Sequence, residues 1–247
     1  MIELKEPTVQ QPMPVPSRDN VHLMFDRISR RYDFLNHLLS FGLDIYWRKQ
    51  AIDCLDGAEG QTILDLACGT GDLAITAITR RGKNNSVFGI DKSAAMLFLA
   101  KQKALKIDMP NSFKIVRGDG MALPLKSGSI NAAMIAFGIR NMPDTLLCLK
   151  EISGTLRTKG RLIVLEFSLP ENRVIRAMHL FYLRNVIPFL GRVISGDNSA
   201  YRYLNRTIET YPHGDAFCEL MRLAGFKNVS ARRLTFGIVS LYTGEWQ

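Results

Sequence analysis

Leu64-Asp65-Leu66-Ala67-Cys68-Gly69-Thr70-Gly71-Asp72 decides how the rest of this 247-residue chain is read. The apolar run Ile63–Ala67 stops at Cys68-Gly69, and helix-forming residues resume from Gly71 to Arg80. A short apolar run closed by glycine reads as a strand buried on both faces, the habit of parallel sheets. Glycines at 69 and 71 permit a tight turn and let a ligand approach the backbone. The segment is not a complete GxGxxG, because position 74 is Ala, and it lacks the Lys-Ser/Thr of a phosphate-binding loop.

Downstream the same unit repeats. Val87–Ile90 reads as a strand ending at Asp91, and Ser93 is placed to cap a helix over Ala94–Leu105. Phe113–Val116 and Ile130–Phe137 read as further strands, and Pro143–Leu156 as a helix with proline in its first turn. Leu162–Phe167 reads as a fifth strand after a turn at Lys159-Gly160. Alternation of this kind predicts a parallel sheet covered by helices. Right-handed crossovers then gather the strand-to-helix loops on one edge, where ligands bind.

The flanks differ. Four prolines at 7, 12, 14 and 16 make residues 1–18 read as a mobile tail. Val21, Met24, Phe25, Ile28, Tyr32 and Leu35 recur at helical spacing, and a second helix is expected near Trp47–Leu55, giving a helical cap over 19–60. Residues 171–212, rich in Arg and aromatics, read as an inserted helical lid within a single domain spanning 19–247. Asp215–Ala224 reads as a helix, and Phe226–Leu234 and Ile238–Thr243 as an antiparallel hairpin joined by Thr235-Phe236-Gly237.

Lys plus Arg number 32 against 23 Asp plus Glu, a net charge of +9 that favours anionic partners. No dedicated RNA-binding module is legible, and no nucleic-acid partner is expected. The four cysteines make no CxxC pair and no zinc-like spacing with histidine, so reduced thiols and no metal site are expected. No apolar run is long enough to span a bilayer, and no secretory signal is seen, which points to the cytoplasm.

Three carboxylates fall near one edge. Asp91 lies twenty residues after Gly71 at the next strand's end, where a carboxylate can take ribose hydroxyls. Asp119, followed by Gly120, ends the third strand, where it could meet an adenine amino group or form an ordinary turn. Asp65 sits inside the first strand and, being costly to bury alone, either organises the loop or faces the ligand's amino-acid end. Acidic strand ends beside an incomplete glycine fingerprint suit a cationic sulfonium cofactor without phosphates better than a dinucleotide.

Several blocks carry a more specific resemblance. Arg31-Tyr32-Asp33-Phe34-Leu35-Asn36, Leu39-Ser40-Phe41-Gly42 with Trp47-Arg48, Ala136-Phe137-Gly138-Ile139-Arg140-Asn141, Leu165-Glu166-Phe167-Ser168, Tyr201-Arg202-Tyr203-Leu204 and Gly237–Gly244 resemble the ubiquinone/menaquinone biosynthesis C-methyltransferases over about residues 20–247. The resemblance implies an α/β class I methyltransferase (Rossmann-like) fold. Its sheet would be seven-stranded and mostly parallel, with helices on both faces and a C-terminal antiparallel hairpin. It implies S-adenosylmethionine as cofactor and a prenylated quinol as acceptor: demethylmenaquinol, with a methoxy-benzoquinol as the neighbouring alternative. Cofactor contacts carry over to Thr70, Asp91, Asp119 and Gly120, beside Asp65 and the loop glycines Gly69 and Gly71. At a further contact the family has Ser, and here Ala136 offers backbone alone.

For the chemistry, Arg140 is expected to stabilise a developing phenolate and Asn141 to orient the ring, with Tyr32 closing the pocket. The structural alternatives are Arg140 paired to a carboxylate, Asn141 capping a helix, and Tyr32 as core. The basic, apolar lid is expected to touch a membrane surface peripherally; packing on the domain or a homodimer contact is the alternative use of the same face.

Overall fold

Along the first strand, Thr62–Leu66 (β1), residues of opposite parity bury on opposite faces: Ile63 packs into one apolar cluster and Leu64 into another, both fully buried. The same alternation divides Ile163 and Leu165 from Leu162 and Val164 further on. A period of two with both faces apolar forces helices onto both sides of the sheet. Fully burying each such side chain contributes about 1.5–3 kcal/mol.

The computed structural model describes residues 17–55, 59–82, 84–107, 112–195 and 198–247, with backbone alone at 192–195, 198 and 199. Residues 1–16 of the expected tail lie outside these; Arg18 already belongs to a 3-10 turn over Arg18–Asn20 and stacks 5.8 Å from the Tyr211 ring centroid. Helices Val21–Leu39 (α1) and Leu43–Ile52 (α2) follow. After β1 come Asp72–Arg81 (α3), Ser86–Asp91 (β2), Ala94–Ala104 (α4), Phe113–Arg117 (β3) and Ile130–Ala136 (β4). Then come Thr145–Thr155 (α5) and Leu156–Phe167 (β5), and three helices in the segment expected to be a lid: Arg173–Phe181 (α6), Ile187–Ser195 (α7) and Asn198–Thr210 (α8). Asp215–Leu223 (α9), Lys227–Leu234 (β6) and Val239–Glu245 (β7) complete the order.

The seven strands run β3-β2-β1-β4-β5-β7-β6, parallel except where β7 pairs antiparallel with both β5 and β6. This is the expected sheet. Helices α2, α3 and α4 bury one face, and α5 and α9 the other.

Several boundaries depart from the sequence reading, among them α2, which runs Leu43–Ile52 rather than Trp47–Leu55. Helix α5 starts later than Pro143, because the Asp144 side chain accepts the Leu147 amide at 2.9 Å and fixes the N-cap there. β5 runs through the expected turn at Lys159-Gly160: the register against β4 jumps from Ile130↔Leu156 to Ala132↔Arg161, so the turn survives as a bulge with Lys159 at φ 64°. β4 ends at Ala136, since Phe137 takes φ 56°. A π-helical turn, Tyr182–Val186, ends two residues before the proline at 188, whose missing N–H cannot close an ordinary turn.

Candidate active site

The loop after β1 turns through three left-handed residues, Ala67 (φ 54°), Gly69 (φ 54°) and Gly71 (φ 85°). Gly71 is demanded twice over, because a Cβ there would also lie 2.9 Å from the Phe113 ring. Below the loop Asp65 is buried at 1% exposure, takes the Ala74 amide, and leaves Oδ2 without a partner among the described residues. Burial pushes its pKa up to about 8, with the Ala74 amide pulling the other way and the Asp91 charge adding to the rise.

The other sequence-predicted edge residues are present but engaged. Asp91 accepts the Gly69 amide at 2.9 Å and the Ser93 amide at 2.8 Å, lacing the first loop to the second. Burial raises its pKa against these bonds. Ser93 caps α4 as expected, accepting the Met96 amide. Asp119 pairs with Lys92 at 2.8 Å and accepts the Met121 amide at 3.0 Å. Burial pushes its carboxyl up, but these partners outweigh that and hold it below the ordinary range. Gly120 faces Met142, whose sulfur would stand 3.1 Å from an added Cβ, and Ala136 is half-buried at the end of β4.

Thr70 donates to Asp33 of α1 at 2.6 Å and accepts from Lys103 at 3.0 Å; Lys103 bridges Asp33 and Asp72. One face of α1 carries a second latch. Asp26 accepts the Ser93 hydroxyl at 2.5 Å and the Ala95 amide at 3.1 Å. The helical cap is therefore strapped over the loops after β1 and β2 by two carboxylates seven residues apart. Sequence reasoning missed both: their shared helical face was legible, their partners 37 and 67 residues away were not.

Beside this edge lies a cavity of about 480 Å³ enclosed by α1, α2, the strand ends and the lid helices. Its floor is aromatic: the Phe137 and Phe167 rings lie 4.7 Å apart, with Trp47 6.0 Å from Phe137. The cavity shares a wall with the glycine loop. A Cβ on Gly138 would stand 2.6 Å from the Ala67 Cβ, and Arg48, which lines the cavity, reaches Asp72 at 3.8 Å. Phe41 and Phe236, 80% and 78% exposed, stand among the lining residues at its mouth, and Met178 joins them at 67%.

Arg140 lines the cavity and is 5% exposed. Its Nη1 donates to Glu166 Oε1 and to the Phe137 carbonyl, both at 2.6 Å, and the guanidinium lies 5.3 Å from the Phe167 ring centroid. Its Nε has no partner among the described residues. The pairing with a carboxylate weighed from the sequence is thus present, and Glu166 is the partner sequence reasoning did not single out. Tyr32 also lines the cavity, edge-on to Phe25 at 5.8 Å. Burial pushes its phenol up, with an Asn36 bond opposing. Asn141 is not among the lining residues. It follows Arg140 in a 3-10 turn over Ile139–Asn141, and its amide folds back toward the Phe137 carbonyl at 3.4 Å. It does not cap α5 either, since Asp144 does.

A family model for the ubiE/COQ5 methyltransferase family matches residues 13–246. The chain is 39% identical over 225 residues to a demethylmenaquinone methyltransferase of Bacteroides fragilis, covering 91% of each. It is 39% identical over 227 residues to a ubiquinone/menaquinone biosynthesis C-methyltransferase of Geotalea uraniireducens, covering 92% of this chain and 96% of the relative. In fold it is similar to a crystal structure of a SAM-dependent methyltransferase from Thermotoga maritima, with a TM-score of 0.61 at 20% identity over 91% of this chain and 99% of that one.

Proposed function

The chain belongs to the ubiE/COQ5 methyltransferase family, and we propose that it moves the methyl group of S-adenosylmethionine onto a ring carbon of a prenylated quinol, demethylmenaquinol giving menaquinol. One observation carries the acceptor: an apolar, aromatic-floored cavity shares a wall with the glycine loop. A hydrocarbon tail needs such a channel, and a ring at its inner end would lie beside the cofactor edge.

The residues present fit the cofactor. The loop glycines leave the backbone open, the Asp65 Oδ2 beneath has no partner among the described residues and can exchange a hydrogen bond with the amino-acid end, and the strand ends offer carboxylates in place of a phosphate-binding loop. In this reading Gly69, Thr70, Gly71 and Asp65 hold the amino-acid end, Asp91 the ribose, and Asp119 with Gly120 the adenine; Ala136 contributes main chain. When bound, the cofactor supplies an electrophilic methyl on a positively charged sulfur.

A quinol carbon becomes nucleophilic as a ring hydroxyl loses its proton, so a fixed positive group near the oxygen lowers the barrier. Arg140 serves that role from the cavity wall. Glu166 and Phe137 hold its Nη1, which fixes the guanidinium plane while leaving Nε for a ligand. Tyr32 closes the cavity from α1. Asn141 supports the turn that carries Arg140 rather than orienting the ring.

The exposed mouth residues Phe41, Met178 and Phe236 take up a membrane surface from which a prenylated acceptor could enter. Among the described residues no helix is long and apolar enough to cross a membrane. Sedimentation with anionic phosphatidylglycerol vesicles tests the contact: the intact chain is expected in the pellet. A stable dimer in the supernatant would instead assign the face to a second copy. The substrate is tested by offering labelled S-adenosylmethionine with reduced demethylmenaquinone, a demethylated methoxy-benzoquinol and bulk RNA in parallel. Label in the first is expected; label only in the second moves the assignment to the ubiquinone branch, and label only in RNA overturns the quinol.

A further inference from the structure

Most polar groups lining the cavity are spent on one another. Ser40 donates to Asp44 at 2.7 Å, Asp44 pairs with Arg48, Tyr32 bonds to Asn36, and the Tyr182 hydroxyl donates to the Leu39 carbonyl at 2.9 Å. Two groups on the lid are different. His179 of α6 and Tyr203 of α8 both line the cavity, at 8% and 4% exposure, and among the described residues neither the His179 Nε2 nor the Tyr203 hydroxyl has a hydrogen-bond partner. With Arg140 Nε they are polar atoms left unanswered among the described residues. Burying such an atom without a partner is costly, and native folds rarely tolerate it without a use. Both residues belong to the lid rather than to the sheet, so the lid adds polar chemistry as well as apolar cover.

We propose that His179 and Tyr203 are the lid's contacts to the hydroxyl-bearing head of the quinol, His179 accepting a ring-hydroxyl proton and Tyr203 donating a hydrogen bond to a ring oxygen. This rests on the quinol reading above. The two groups are complementary in kind. Burial pushes the His179 imidazole below its ordinary range, leaving a neutral acceptor, and pushes the Tyr203 phenol up, leaving a donor. Tyr203 also lies within the fields of Arg140 and Glu166, so its donor and the Arg140 guanidinium serve one end of the head. The titratable groups facing the cavity with His179 are Tyr32 from α1, Asp44 and Arg48 from α2, Arg140, Tyr182, and Tyr201 and Tyr203 from α8. The charged ones are paired, and burial alone sets the direction for His179. The proton passes from the ring oxygen to Nε2 and returns to that oxygen once the methylated carbon has shed its own hydrogen to solvent. His179 therefore ends each turnover neutral, and one proton leaves.

The test compares His179→Gln and Tyr203→Phe with the parent chain in three measurements: the pH profile of kcat, calorimetric binding of a hydroxylated quinol analogue against the same ring without its oxygens, and binding of S-adenosylhomocysteine. His179→Gln is expected to lower kcat about 100-fold and to remove the acid limb of the profile, the limb on which His179 takes up a proton. Tyr203→Phe is expected to weaken the hydroxylated analogue about tenfold and leave the oxygen-free ring unchanged. Parental affinity for S-adenosylhomocysteine certifies that each variant is folded; should one fail it, the other still decides. Variants that keep both the parental acid limb and the parental preference for the hydroxylated analogue overturn the proposal. A parent chain that methylates neither quinol overturns the substrate reading instead.

Discussion

The cofactor edge and the acceptor cavity share a wall but treat their polar groups in opposite ways. Along the edge, Thr70, Asp91, Ser93 and Asp119 all have protein partners, supplied by α1, by neighbouring amides or by Lys92. In the cavity, Arg140 Nε, His179 Nε2 and the Tyr203 hydroxyl have none among the described residues. A ligand at the edge meets loops that these bonds already hold in place, with the Asp65 Oδ2 left open beneath them. A ligand in the cavity answers atoms that have nothing to give up, so the same hydrogen bond there stabilises more. On this view the edge is preformed and the cavity is completed by its substrate.

Arg140→Ala separates the two regions most sharply. It is expected to cut turnover about 100-fold or more and, by stranding the buried Glu166 carboxylate, to cost about 3–5 kcal/mol of stability. Titration with S-adenosylhomocysteine should give parental affinity; equal losses in turnover and cofactor affinity would break the division.

Asp65 sharpens the contrast from below the edge. Its folded pKa of about 8 stands above the ordinary 3.8, so the folded state keeps a proton that the unfolded chain releases. Its contribution is therefore full at acid pH and is lost as pH rises to about 8. Thermal unfolding midpoints followed from pH 5 to 8 should decline less steeply in Asp65→Asn than in the parent. An unchanged slope would mean the Asp65 proton plays no part.

Gly71→Ala and Gly69→Ala test how far the loop is preformed. The first meets both φ 85° and the Phe113 ring, and is expected to cost about 1–3 kcal/mol. The second meets only its left-handed backbone, with open space around the added carbon, and should cost about 1 kcal/mol. Equal urea midpoints would remove the packing argument for Gly71. The smallest effect is expected at the strap: Asp33→Asn should speed cofactor release several-fold, the scale of one hydrogen bond, read by stopped-flow displacement. An unchanged rate would leave α1 as cover without a hold on the edge.

What could be read from sequence tracks how local the cause is. The glycine loop, the Ser93 cap and the strand alternation are set by residues a few positions apart, and they stand where expected, as does the antiparallel closing pair. Asp91 and Asp119 lie at the expected strand ends, but their partners, Gly69 and Lys92, come from other loops. The Arg140–Glu166 pair spans 26 residues and joins the 3-10 turn after β4 to the neighbouring parallel strand β5, so it depends on a register no local pattern encodes. The same holds for the bulge that kept Lys159-Gly160 inside β5. Asn141 was adjacent to Arg140 in sequence, and the 3-10 turn sent its side chain elsewhere.

The strand order has a consequence for synthesis. β6 leaves the ribosome before β7, yet its hydrogen-bonding neighbour in the finished sheet is β7, which also covers the outer edge of β5. While β7 is still being translated, both strands present unpaired amides and carbonyls, an invitation to foreign strands. The interval between those two segments is thus the stretch of translation during which a nascent-chain chaperone has most to protect.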